Sequence, residues 1–281
     1  MESDIITPNG HLVKTLDELR EQTPAVFATS SAPKNTKSYG FVDTLDIIKK
    51  IQKLGWELHA ASQNGSSPYA RHMVKFKSPK MGYMKQVSRD NVEPQIILDN
   101  SHNRMSSCQI HMGLFRLVCT NGLVVAIPGM ATNVKFRHVG VDMEELKKVL
   151  EKMSDQYLTI GDKIQDMQNV KMTVDMQQEF AIRAIARREP RMFIKEDGTI
   201  DIKAVTASTN PIEILKPIRG EDRADNLWTT FNIIQERMVN GGYQRLSGSG
   251  RPSTTRGITN GTRNLEYNKE LWSMAEEVML S

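Results

Sequence analysis

Five residues able to hold a metal or move a proton fall within one region of the chain: His102, Cys108, His111, Cys119 and His138. Imidazole and thiolate are the usual ligands of zinc, but structural zinc sites draw them as closely spaced pairs, and these are not so spaced. If 108–119 is extended, Cys108 and His111 point to opposite faces of the strand and share no ion without a bulge. The spacing favours buried thiols beside surface or loop histidines, with no metal and no cofactor. Nucleophilic and phosphoryl chemistry find less support. The chain has no G-x-S-x-G and no G-x-x-x-x-G-K-[ST], and Gly248 and Gly250 do not stand between a strand and a helix. Glu144-Glu145, Glu221-Asp222 and Glu276-Glu277 fall on expected helices or their edges, where solvation accounts for them. An enzyme is not expected, and catalytic residues are assigned to none of these positions.

Two cation-rich tracts remain. Residues 71–89 hold Arg71, His72, Lys75, Lys77, Lys80, Lys85 and Arg89 without an acid, and residues 243–264 hold Arg245, Arg251, Arg256 and Arg263 without one. Tyr69, Phe76, Tyr83 and Tyr243 are interleaved with them. Single-stranded nucleic acid is held by this combination, cations tracking phosphates while aromatic faces accept bases. A solvated basic face explains the same residues equally well, because aromatic residues are only 6% of the chain and stacking platforms must be few.

The elements that would carry these residues follow from periodicity. Leu45, Ile47, Ile48, Ile51 and Leu54 recur at helical steps and Gly55 stands where the helix would stop. Trp56, Leu58 and Ala60 alternate with polar neighbours, suggesting a strand before the turn Asn64-Gly65-Ser66-Ser67-Pro68. His72, Val74 and Phe76 alternate with Met73, Lys75 and Lys77, which suits a strand with a basic outer face. Ile96, Ile97 and Leu98 make another short strand, and 101–107 read as a polar loop. In the apolar run 108–127, Asn121-Gly122 predicts a hairpin between two strands, with a buried helix as the rival.

From Asp142 onward the pattern is helical, with Met143, Leu146, Val149, Leu150 and Met153 on one stripe. Further helices are expected over 172–187 with Pro190 marking the end, over 226–240 with Gly241-Gly242 as the stop, and from about 265 to 280. Tyr243 to Asn264 reads as one long basic loop. The Met-rich helices, with Met143, Met153, Met167, Met172 and Met176, are expected to pack a core.

Strands early and helices late predict an α+β fold: an antiparallel sheet from the N-terminal half packed against helices mainly from the C-terminal half. The expected organisation is an N-terminal segment and loop over 1–40, followed by a single domain over 41–281. Hydrophobic residues at 39% and charged residues at 25% of the 281 are globular values. The net charge of +4 is too mild to dictate a partner. Two cysteines without a disulfide pattern, and no basic, apolar leader at Met1-Glu2-Ser3-Asp4-Ile5, point to a soluble protein of a reducing cytoplasm with no membrane partner.

At Ser101-His102-Asn103, Gly113 to Gly122 and Arg137-His138 the chain resembles a phage- and plasmid-borne family catalogued as a domain of unknown function. The resemblance continues through Leu227 to Glu236, Gly241-Gly242, Thr255 to Thr259 and Asn268 to Trp272, in the same order. Many members have Asp-Gly after the Ser-His pair where this chain has Asn103-Arg104. Among phage proteins of this size, the chain is similar to the single-stranded-DNA-binding cofactor with which podoviruses carrying a virion RNA polymerase bring a second polymerase to its template.

That resemblance implies a non-enzymatic, sequence-non-specific binder of single-stranded DNA in the host bacterial cytoplasm, with a phage RNA polymerase as protein partner and homo-oligomers allowed. Phosphates would be met by Lys75, Lys77, Lys80, Lys85, Arg89, Arg245 and Arg251, and by a groove of Arg116, Arg137, Arg256 and Arg263; bases would stack on Tyr69, Tyr83 and Tyr243. The same arginines could instead form an internal polar network that orders the long loop, with Asn232, Gln235 and Glu236 on the helix side nearest Arg256. Three other functions fit less well: a strand-annealing recombination protein, a nuclease using His102, His111 or His138, and a host-inhibiting interaction module.

Overall fold

The computed structural model describes residues 11–35, 40–78, 92–116, 122–124, 133–135, 142–218, 220–247 and 249–280. It is an α+β fold whose contacts divide it into two compact units, the first ending at Gly161 and the second beginning at Asp162. Among the described residues no helix is long and apolar enough to cross a membrane.

The first unit is an antiparallel sheet with helices packed on it. Its strands are β1 (His11–Leu12), β2 (Glu57–Gln63), β3 (His72–Lys77), β4 (Val92–Asn100), β5 (Gln109–Arg116), β6 (Gly122–Val124) and β7 (Asn133–Lys135). The order is β1-β2-β3-β4-β5, with β6 and β7 following one another along β5. Helix α1 (Leu16–Gln22) starts at a capping box in which Thr15 and Glu18 satisfy each other's backbone N–H. Helix α2 (Thr44–Lys53) is capped by Asp43, whose carboxylate accepts from the Asp46 N–H. It buries Ile47, Ile48 and Ile51 and ends at Gly55, whose φ is +91°. The sequence pattern thus gave α2 within a residue at each end.

Helix α3 (Met143–Asn169) begins in this unit and is longer than its clearest apolar stripe, continuing through Tyr157, Ile160, Ile164 and Met167. The Tyr157 hydroxyl donates to the Gln95 carbonyl and accepts from the Gly113 N–H, pinning the helix to β4 and β5. On β3 every residue from His72 to Phe76 is buried, so the alternation does not mark an exposed basic face. Lys75 is 7% exposed, because β3 is an inner strand with both sides covered. Strands β5 and β6 pair as expected, but Gly122 lies in β6 opposite Phe115 and is not a central turn residue; 117–121 lie outside the described residues.

The second unit is helical. It contains α4 (Val174–Arg188), the short α5 (Pro190–Phe193), α6 (Ile202–Ser208), α7 (Pro211–Ile214), α8 (Leu227–Asn240) and α9 (Gly261–Leu280), with a hairpin of β8 (Gln244–Leu246) and β9 (Pro252–Thr254). Thr173 caps α4 and Asn226 caps α8 through side-chain oxygens. Trp228, Phe231 and Trp272 form the aromatic centre of the core, Trp228 stacked on Phe231 and Phe231 edge-on to Trp272. Met153, Met167 and Met172 are core residues.

Candidate nucleic-acid interface

The residues singled out for phosphates and bases divide between the two units. In the first, Tyr69 is half-buried before β3, Lys75 is buried and Lys77 is half-buried at the strand end. Lys80, Tyr83, Lys85, Arg89 and Arg137 lie outside the described residues, as does the side chain of Arg116. Burial pushes the Lys75 ammonium down to a pKa of about 8. A group held at that cost is a poor surface contact for a strand.

In the second unit a cluster forms where α4 ends. Its last carbonyls, those of Arg187 and Arg188, accept from the Arg263 guanidinium, a cation at the negative end of the helix dipole. Arg263 also pairs with Glu270 at 3.1 Å. Arg188 donates to the Tyr243 hydroxyl at 2.8 Å and to the Arg256 carbonyl, and lies over the Tyr243 ring. Arg245 pairs with Glu189. Tyr243 is 5% exposed, so its ring faces protein rather than solvent. The side chains of Arg187, Arg191, Arg251 and Arg256 are exposed around this corner.

The segment read as one long loop is therefore an ordered hairpin and return. Gly242 N–H donates to the Thr255 carbonyl and Thr255 N–H to the Tyr243 carbonyl, extending the β8–β9 ladder. Gly241, at φ +72°, faces the Arg256 backbone so closely that a Cβ there would sit 2.6 Å from the carbonyl carbon. Ile258 N–H then donates to the Val239 carbonyl. Gln235 bonds Asn268, which bonds Asn264, tying α8 to α9. Of the four arginines named for a groove or an internal network, Arg263 is held within the protein and the Arg256 side chain is exposed. Arg187, Arg188 and Arg191 were absent from the sequence candidates; their neighbour acid Glu189 masked the cationic character of the α4 terminus.

A second polar cluster lies at one end of the sheet in the first unit, around His102 and His111, where the sequence reads as a polar loop followed by an apolar run. Ser101 and His102 are fully buried. His72 Nδ1 lies 2.9 Å from the Ala70 carbonyl, which can only accept, so this nitrogen carries the proton and Nε2 accepts from the Thr44 hydroxyl at 2.9 Å. Asn100 donates to the same hydroxyl oxygen and to the Val42 carbonyl. His102 stands 3.3 Å from Thr44 Oγ1, and its carbonyl accepts from Ala32 and Asn35. Burial pushes both imidazoles down to about 4, leaving them neutral.

Beside them Asp99, fully buried, takes a two-pronged bond from Arg71 and one from Ser106. Burial pushes its carboxyl up, but the nearby His111 ring, 3.9 Å away, and the Arg71 guanidinium outweigh it and hold the pKa below the usual value. Cys108 is a free, buried thiol pushed up chiefly by burial. His72, Asp99, His102, His111 and Cys108 are buried while Arg71 and Ser106 are half-buried, and no group of three metal-binding side chains occurs among the described residues. Cys119 and His138 lie outside them.

Residues 34–272 match the family described as "Domain of unknown function (DUF932)". The chain belongs to this family. The match runs through both units, so the sheet and the helical part are one family signature. Two curated proteins of Escherichia coli (strain K12) are similar over nearly their whole length. UPF0380 protein YafZ is 30% identical over 274 residues, covering 94% of this chain and 91% of that protein. UPF0380 protein YfjQ is 27% identical over 270 residues, with the same two coverages. No solved structure matches the chain. Arg104 adopts the left-handed backbone at φ +71°, a conformation that glycine takes without strain.

Proposed function

We propose that the chain binds single-stranded nucleic acid without sequence preference, through the arginine corner of the second unit, and performs no chemistry on it. The observation that carries this reading is the exposure of Arg187, Arg191, Arg251 and Arg256 where Arg188 holds the Arg256 carbonyl of the return segment and Arg263 holds the last carbonyls of α4. Cations on a fixed frame lose little freedom when a phosphate chain is laid across them. With Tyr243 buried, binding relies on phosphates more than on stacked bases. Recruitment of an RNA polymerase to the coated strand is the further step that the family resemblance implies, and co-purification from phage-infected cells tests it.

The test of strand binding is fluorescence anisotropy of a labelled single-stranded oligonucleotide at several salt concentrations, with duplex as competitor. Affinity should fall steeply with salt, by a slope of about 0.7 per phosphate neutralised. Arg251→Glu with Arg256→Glu should flatten that slope by at least about 1.4. A salt-independent affinity, or an unchanged slope in the double variant, rejects the interface.

A further inference from the structure

The first unit contains a cavity that none of the functions above uses. It has a volume of about 540 Å³, in the range of small-molecule sites, and lies where β1 and β2 meet. The register of β2 on β3 explains it. Leu58 pairs with Phe76 and Ala60 with Lys75, so His59 is an extra residue in β2, a bulge that turns its ring out of the regular pleat. The His59 carbonyl still holds the Val13 N–H, which brings the β1 end and Lys14 to the same place.

The walls of the cavity differ in character. Leu12, Leu58 and Trp56 are apolar; Lys14, His59 and Lys77 are basic; Gln52 and Glu57 complete the lining. Lys75 lies close enough for its charge, with that of Lys77, to act on the His59 ring, which burial first and these two ammonium groups next push down to about 4. The Glu18 carboxylate beside Lys14 is taken up by the backbone N–H groups of Lys14 and Thr15. The lining therefore holds one acid against two lysines and a histidine, with Leu12 exposed on its apolar side and only the edges of Leu58 and Trp56 reaching the surface.

We propose that this cavity binds a nucleoside phosphate, its phosphate at Lys14, His59 and Lys77 and its base against Leu12, at the edge of the buried Leu58 and Trp56. A neutral imidazole donates one N–H to a phosphate oxygen while the two ammonium groups supply the charge. The β-bulge is then a positioning device, since a regular strand would alternate His59 away from one of its present neighbours. The site involves no residue of the arginine corner, so it stands whether or not that corner binds strands.

Isothermal titration calorimetry of the full chain with adenosine monophosphate, adenosine, inorganic phosphate, and a short oligonucleotide with or without a 5′-phosphate tests this. Expected is one site per chain for adenosine monophosphate, at least tenfold tighter than for adenosine or inorganic phosphate. Lys14→Glu, an exposed change, and Lys77→Gln should each weaken it at least tenfold, while Arg251→Glu leaves it unchanged. Competition by the 5′-phosphorylated strand alone would identify a strand end as the source, and its failure to compete a free nucleotide; either supports the site. No heat with adenosine monophosphate, equal affinity for inorganic phosphate, or indifference to both lysine variants overturns it.

Discussion

His72 and His102 share with His59 the largest pH liability of the described residues in the first unit. Their folded pKa values of about 4 lie below the ordinary 6.5, so the unfolded chain takes up protons that the folded one refuses. The stability they leave intact is fully present above pH 6.5 and is lost as pH falls toward 4. At pH 5 the loss is about 2 kcal/mol for each ring. Thermal unfolding followed from pH 7 to 5 should show a falling midpoint with close to three protons taken up on unfolding at pH 5, His59 adding the third; a flat profile would mean the rings are charged in the fold. Lys75 behaves alike with opposite consequence for substitution. Its ammonium is protonated at neutral pH in both states but disfavoured in the folded one, so Lys75→Met should stabilise the protein by about 1–3 kcal/mol in chemical denaturation. A loss of stability would place a counter-charge at Lys75.

The elements legible in sequence are those with both a period and a punctuated end. Helix α2 has its aliphatic stripe, Asp43 and Gly55; α8 has Asn226 and Gly241; α4 has Thr173 and Pro190. Strands β8 and β9, of three residues each, are too short to show alternation, and only pairing across the 247–251 turn reveals them. Gly241-Gly242 was readable as a reversal, but what it packs against was not, because the Arg256 backbone comes from 15 positions further along. Gly241→Ala combines an unfavourable positive φ with a 2.6 Å clash against backbone that cannot yield cheaply, and should cost about 2–4 kcal/mol. Hydrogen exchange at Gly242, Thr255 and Ile258 should rise together in that variant; protection retained at all three would show that the return segment holds without the close approach.

At the scale of the chain, sequence gave the class of fold and the separation of strands from helices, since these depend on local texture. Burial of individual cations and aromatics was not legible: Lys75 and Tyr243 look like surface residues until the covering of β3 and the guanidinium of Arg188 are known. Nor did periodicity mark a boundary at Gly161, which falls inside α3. Tryptophans report the units separately, Trp56 in the first and Trp228 and Trp272 in the second. In a Trp56→Phe chain, Ile234→Ala in α8 should lower the fluorescence-detected denaturation midpoint by about 2–5 kcal/mol equivalent, and Ile51→Ala in α2 should leave it in place. Equal shifts would show that the two cores melt as one.

Cys108 gives this architecture a clock. It sits 3% exposed next to β5, with its thiol pushed up by burial and by Asp99, so an alkylating reagent reacts only during the moments when that end of the sheet opens. In a Cys119→Ser chain the alkylation rate, divided by that of an unfolded peptide thiol, measures the fraction of time spent open under native conditions. Since the same opening releases the Asp99 and His72 clusters, acidification that protonates the imidazoles should quicken the clock well before the protein unfolds outright.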